Sequence, residues 1–201
     1  MIRVLLAEDQ GMVLGALAAL LDLEPDIEVV AQVTDGSEVV DAARTAAADV
    51  ALLDIEMPGM DGIAAAAALR RDAPACVPVI LTTFGRPGYL RRAMDAGARG
   101  FLVKDAPAQQ LADAVRRVAA GESVVDPDLA TSALGVGANP LSTREREVLA
   151  ASADGATVDE IAERLFLSAG TVRNYLSAAM RKLDARNRVE AARTAERQGW
   201  L

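Results

Sequence analysis

No histidine occurs anywhere in this chain, which excludes a His-containing catalytic triad, a His-ligated zinc site and a phosphohistidine relay within the molecule. A single cysteine, Cys76, cannot close an intramolecular disulfide, which fits a reducing compartment such as the cytosol. Lysine is nearly missing: 2 Lys stand against 19 Arg, so Lys104 and Lys182 each call for an explanation. The apolar runs are too short or too interrupted by charge to span a bilayer, and no basic segment precedes an apolar stretch at the N-terminus. Neither a membrane anchor nor a signal peptide is expected.

What is present is ample material for a core. With 201 residues, 52% of them hydrophobic, the chain has room for two ordinary domains. The net charge of -8 is unevenly divided, residues 1–139 carrying -9 and residues 140–201 carrying +1. That division predicts two modules with different partners.

In the first module, short apolar runs at Ile2–Ala7, Ile27–Val33, Asp49–Leu53, Val77–Thr82 and Gly100–Val103 alternate with segments of helical period. The helical segments are Met12–Leu23, Ser37–Ala47, Ile63–Arg71, Tyr89–Ala96 and Ala108–Ala119. Continuous apolar runs between helices predict a buried parallel sheet, here an α/β flavodoxin-like (βα)5 domain over residues 1–120. Polar residues then fall at the strand ends. Glu8 and Asp9 follow strand 1, Asp54 ends strand 3 ahead of Met57-Pro58-Gly59, Thr82 ends strand 4 and Lys104 follows strand 5. All five converge on one sheet edge, where open α/β sheets bind ligands.

Three carboxylates brought together repel unless a divalent cation neutralises them, and hard oxygen ligands suit Mg²⁺. A carboxylate can also be the nucleophile that accepts a phosphoryl group, with Thr82 and Lys104 placed to hold its oxygens. Taken singly, Glu8 or Asp9 reads as a helix cap, Lys104 as a surface lysine, Thr82 as a strand end and Phe101 as core packing. Their joint placement favours the site.

These residues resemble the bacterial response regulator receiver domain: Glu8-Asp9, Asp54, Met57-Pro58-Gly59, Asp61-Gly62, Thr82, Phe101 and Lys104. The resemblance implies that a sensor histidine kinase phosphorylates Asp54 with Mg²⁺ held by Glu8, Asp9 and Asp54, and that Thr82 and Phe101 act as the switch pair. Asp105 stands where many receivers carry proline.

Residues 121–140 contain Gly121, Pro127, Gly135, Gly137 and Asn139-Pro140, which break regular structure and predict a linker, with a short helical turn at Pro127–Leu134. Residues 141–201 then show two capping boxes, Ser142 with Glu145 and Thr157 with Glu160, each opening a helix. Ser168 is the N-cap of a third helix that carries no acidic residue from Ala169 to Leu183, and Asn187 with Glu190 opens a fourth. At 100° per residue, Val172, Leu176, Ala179 and Leu183 form an inward stripe, while Arg173, Asn174, Ser177 and Arg181 form an adjacent one. A short turn before such a helix predicts a helix-turn-helix in an all-α four-helix domain. Arg173 and Asn174 suit guanine and adenine edges, and Ser168, Thr171, Arg181 and Lys182 suit phosphates and the groove edge.

This module resembles the LuxR-type domain of NarL/FixJ regulators through Leu141-Ser142, Arg144-Glu145, Glu147-Val148-Leu149, Glu160-Ile161-Ala162, Thr171-Val172-Arg173 and Lys182-Leu183. Tyr175 stands where many relatives carry histidine, and Ser177 where some carry a basic base-reader. The resemblance implies a cytoplasmic transcription factor that dimerises on phosphorylation, through receiver helices 1 and 5, and binds promoter DNA. RNA polymerase is a further expected partner. Phrases such as Ala7-Glu8-Asp9-Gln10 and Thr171-Val172-Arg173-Asn174-Tyr175 resemble a branch that controls membrane-lipid genes. The residues alone leave two rivals open. An aspartyl-phosphate hydrolase would use Glu56, two residues beyond Asp54, but needs a cap domain for which the chain has no room. A ligand-controlled regulator would not need the acidic cluster.

Overall fold

The computed structural model describes residues 1–83, 87–105, 107–127, 129–130, 139–153 and 155–201, with only the backbone described at residues 87 and 108. Two compact units emerge, one built on residues 1–85 and 90–131 and the other chiefly on residues 132–201.

The first unit alternates β1 (Ile2–Ala7), α1 (Gly11–Leu21), β2 (Ile27–Val33), α2 (Val39–Thr45), β3 (Val50–Asp54), α3 (Gly62–Asp72), β4 (Val77–Thr82), α4 (Pro87–Ala96), β5 (Gly100–Val103) and α5 (Ala108–Ala119). A single 3-10 turn, Gly36–Glu38, leads into α2. A sixth strand, β6 (Val124–Val125), completes one sheet of order β2-β1-β3-β4-β5-β6, parallel throughout. Every residue of β3 is buried, as a central strand covered by helices on both faces requires.

The sheet thus has one strand more than the sequence predicts. β6 pairs Val124 with Gly100 and Val125 with Phe101. Two residues are too few to show a period, and they fall in the stretch read as linker. Of the helical turn predicted at Pro127–Leu134, one turn is seen: Asp126 Oδ1 accepts from the Leu129 amide and the Asp126 carbonyl from the Ala130 amide. The rest of that turn and the linker segment 131–138 lie outside the described residues.

The second unit contains α6 (Thr143–Ala151), α7 (Val158–Arg164), α8 (Ala169–Lys182) and α9 (Arg188–Arg197). Both predicted capping boxes close, Ser142 with Glu145 and Thr157 with Glu160. At α9 the pattern is only half formed. Asn187 Oδ1 accepts from the Glu190 amide, but the Glu190 carboxylate turns to the Arg186 backbone and guanidinium. The core between these helices is Leu141, Val148, Leu149, Ala151, Ile161, Ala162, Val172, Leu176, Ala179, Ala191, Ala192 and Ala195. Among the described residues, no helix is long and apolar enough to cross a membrane.

Candidate functional site

Asp54 is the last residue of β3, lying opposite Leu81 in β4, and its side chain is nearly buried. Backbone crowding dictates the turn from β3 into α3. Gly62 starts α3 so close to Asp54 that an added Cβ would stand 1.9 Å from the Asp54 carbonyl oxygen. Asp61 caps that helix, its Oδ1 accepting from the Ala64 amide at 2.7 Å. Gly59 has φ +70 and faces the Asp35 carboxylate, 2.2 Å from where its Cβ would be. The Pro58-Gly59-Met60-Asp61-Gly62 stretch is therefore a fixed turn that pins the backbone of Asp54.

Around that carboxylate the predicted partners assemble. Glu8, Asp9 and Asp54 each offer an oxygen within 4.8 Å of the others, Glu8 and Asp54 buried and Asp9 exposed. Lys104 Nζ lies 2.5 Å from Glu8 Oε2 and 2.8 Å from Asp54 Oδ1. Burial by itself would lower the lysine pKa, but hydrogen bonds to Asp54 and Glu8 outweigh it and hold the ammonium above its ordinary range. Three carboxylates against one ammonium leave two uncompensated negative charges. The donor set is hard oxygen, one member reaches solvent, and the charge deficit matches a dication, so the residues fit Mg²⁺.

Thr82 ends β4 beside this cluster, 4% exposed, and its carbonyl accepts from the Lys104 amide at 2.8 Å. Phe101 is fully buried in β5, between Ile80 of β4 and Val125 of β6. Sequence reasoning missed β6 and hence one neighbour of Phe101. Glu56 is exposed. Cys76 is buried away from this edge and its thiol is pushed up to about 12, first by burial and then by Asp49, so it is an inert core residue.

In the second unit α8 separates its faces as the count at 100° per residue predicts. Val172, Leu176 and Ala179 are buried, while Arg173, Asn174, Ser177 and Arg181 are exposed along one stripe. Ser168 accepts from the Thr171 amide at 3.1 Å, and its hydroxyl shares a 2.8 Å hydrogen bond with that of Thr171. Both residues thus serve the helix start. Lys182 differs from the rest of the predicted DNA-facing set. Its ammonium lies 2.7 Å from the buried Glu145 carboxylate on α6. Sequence reasoning saw Glu145 only as a cap, although the 19-to-2 excess of Arg over Lys marked Lys182 as unusual.

Comparison with known proteins decides the family. The response regulator receiver domain model matches residues 4–116, and the bacterial regulatory protein luxR family model matches residues 139–195. The chain is a response regulator. It is 47% identical over 201 residues to the transcriptional regulatory protein DesR of Bacillus subtilis (strain 168), covering all of both chains. The crystal structure of the response regulator ChrA of a heme-sensing two-component system superposes with a TM-score of 0.60 at 36% identity, covering 100% of this chain and 98% of that one. The structure of an RcsB–DNA complex gives 0.67 at 26% identity, with 98% of each covered. This response regulator therefore joins a receiver to a LuxR-type DNA-binding domain and belongs to a family of transcriptional regulators.

Proposed function

We propose that this response regulator is switched by transfer of a phosphoryl group to Asp54 and that the switch acts by pairing two chains on DNA. The observation that carries the proposal is the strand-end cluster: three carboxylates held within 4.8 Å, with one lysine bridging two of them. In the transfer, an Asp54 carboxylate oxygen forms a bond to phosphorus as the donor's own bond to phosphorus breaks; a sensor kinase's phosphohistidine is the donor. Mg²⁺ held by Glu8, Asp9 and Asp54 would neutralise the added oxygens. Lys104 is within reach of the same oxygens, since its ammonium already touches Asp54, and the Thr82 hydroxyl is the neighbouring group at the end of β4. Loss of the Lys104–Asp54 contact on phosphorylation is the local change that Thr82 and Phe101 pass on. A switch rather than a turnover enzyme is the reading we adopt for this nucleophile, on the likeness to transcriptional regulators.

Dimerisation finds support on α1. No charged residue occurs from Gly11 to Leu21, and Met12, Ala16, Ala19, Leu20 and then Leu23 form an exposed apolar stripe. Two such stripes facing each other would bury that surface. On DNA, α8 of each chain would take one half-site, with Arg173, Asn174, Ser177 and Arg181 toward the groove and Ser168 and Thr171 at its edge. Cytoplasmic location and contact with RNA polymerase follow from the same reading. For the regulon, membrane-lipid genes are the class we carry forward, on the phrases Ala7-Glu8-Asp9-Gln10 and Thr171-Val172-Arg173-Asn174-Tyr175. Genome-wide mapping of bound DNA tests that class directly. Phosphorylation itself is tested by intact-mass measurement after incubation with acetyl phosphate and Mg²⁺: the wild-type chain should gain one phosphoryl group and Asp54→Ala none. A wild-type chain that gains nothing would remove the switch.

A further inference from the structure

We propose that Lys182 is a positioning residue for the recognition helix rather than a phosphate contact, acting through Glu145. Lys182 is the last residue of α8 and Glu145 lies in the first turn of α6. The Glu145 carboxylate, 6% exposed, has two duties at one oxygen: Oε2 accepts from the Ser142 amide at 2.6 Å and from Lys182 Nζ at 2.7 Å. The group that completes the cap of α6 therefore also fixes the C-terminal end of α8. At the other end of α8, Ser168 and Thr171 close the cap. Between them, Val172, Leu176 and Ala179 pin the inner face. The helix is held at three places along its length. Of these, the C-terminal one is ionic and links it to a different helix.

The Glu145 side chain is 7% exposed and that of Lys182 41%, so it is the carboxylate, deprived of its ammonium, that would be disfavoured if the pair came apart. An ammonium committed to that carboxylate contributes little to neutralising DNA phosphate. Its neighbour Arg181, exposed on the stripe with Arg173 and Asn174, is the cation available for that work. Both lysines of this arginine-rich chain, Lys104 and Lys182, place a compact point charge on a buried carboxylate.

The inference rests on α8 facing DNA, and its test separates the two. With the full chain, affinity is measured against KCl concentration, using a duplex that the wild type has enriched from a randomised pool. Lys182→Met and Glu145→Gln should each weaken binding by about tenfold, and the double variant should lose no more than either alone. Both lines of log affinity against log salt should stay parallel to that of the wild type. Arg181→Gln, by contrast, should flatten the slope by about 0.9, the value for one phosphate. Ser142→Ala removes the hydroxyl cap while leaving Lys182 in place, and should weaken binding far less. If Lys182→Met flattened the slope as Arg181→Gln does, or if Glu145→Gln tightened binding by freeing the lysine, the positioning role would be overturned. Should the wild type enrich no duplex, the DNA-binding reading fails instead. Amide exchange then still decides: Lys182→Met should speed exchange at Ala179–Leu183 while leaving Ser168–Val172 unchanged, and equal protection in both proteins would refute the clamp.

Discussion

Lys104 bridges the two buried carboxylates of the strand-end cluster. Its ammonium is the counter-charge to two buried carboxylates, Glu8 and Asp54. Removing it while leaving them should be costly, about 3–5 kcal/mol for a broken buried pair. Lys104→Met is therefore expected to lower the urea midpoint of the receiver in EDTA, and millimolar Mg²⁺ should recover more stability in the variant than in the wild type, because it supplies the missing charge. Equal Mg²⁺ effects in both would contradict this. Glu145 gives a second residue-scale prediction. The Lys182 ammonium and then the Ser142 hydrogen bonds, acting against burial, hold its carboxyl below the ordinary 4.5. A lowered folded pKa contributes stability that is complete above about 4.5 and is lost as pH falls through the folded value. The second unit of Glu145→Gln should thus be less stable than wild type at pH 7 and show a flatter acid limb below pH 4.5. Unfolding curves across that range, followed by Trp200 fluorescence, measure it.

Among elements, the turn from β3 to α3 is the most constrained. Gly62→Ala sets a methyl against the Asp54 carbonyl, 1.9 Å away, so either the strand end or the helix start must shift. A loss of about 3 kcal/mol is expected from such overpacking, with impaired phosphorylation even where the protein still folds. Denaturation and acetyl phosphate labelling of the same variant check both halves. This turn was legible as Met57-Pro58-Gly59 and Asp61-Gly62, because glycine and proline report backbone demands locally. The β-strands were legible for a related reason: buried parallel strands are continuous apolar runs, and β1 to β5 lie within a residue of where those runs fall. β6 was not, since Val124-Val125 is too short for a pattern and owes its place to the edge of β5. The stripe of α8 was legible from its period, whereas the Glu145–Lys182 pair, 37 residues apart, depends on how α6 and α8 pack. The strand-end cluster lay between these cases. Its residues could be named from topology, but the bridging of Glu8 and Asp54 by one ammonium could not.

For the whole molecule, the division of charge and the bare face of α1 point the same way. The acidic receiver, part of residues 1–139 with their net charge of -9, has no electrostatic reason to bind DNA, and two of them would approach only if apolar contact outweighed repulsion. On the dimer proposed above, the α1 stripe would supply that contact. Leu20→Glu with Leu23→Glu, at two of its exposed positions, should leave labelling of Asp54 intact and prevent dimer formation. A double variant that still dimerised would move the interface elsewhere. The account as a whole turns on the coupling of Asp54 to assembly. The most direct measurement of it is light-scattering mass in gel filtration, with and without acetyl phosphate and Mg²⁺, for wild type and Asp54→Ala. The account predicts that the wild type moves from monomer to dimer and Asp54→Ala stays monomeric under both conditions. A wild-type mass that does not respond although Asp54 is phosphorylated, or an Asp54→Ala chain that dimerises on the same treatment, would contradict it.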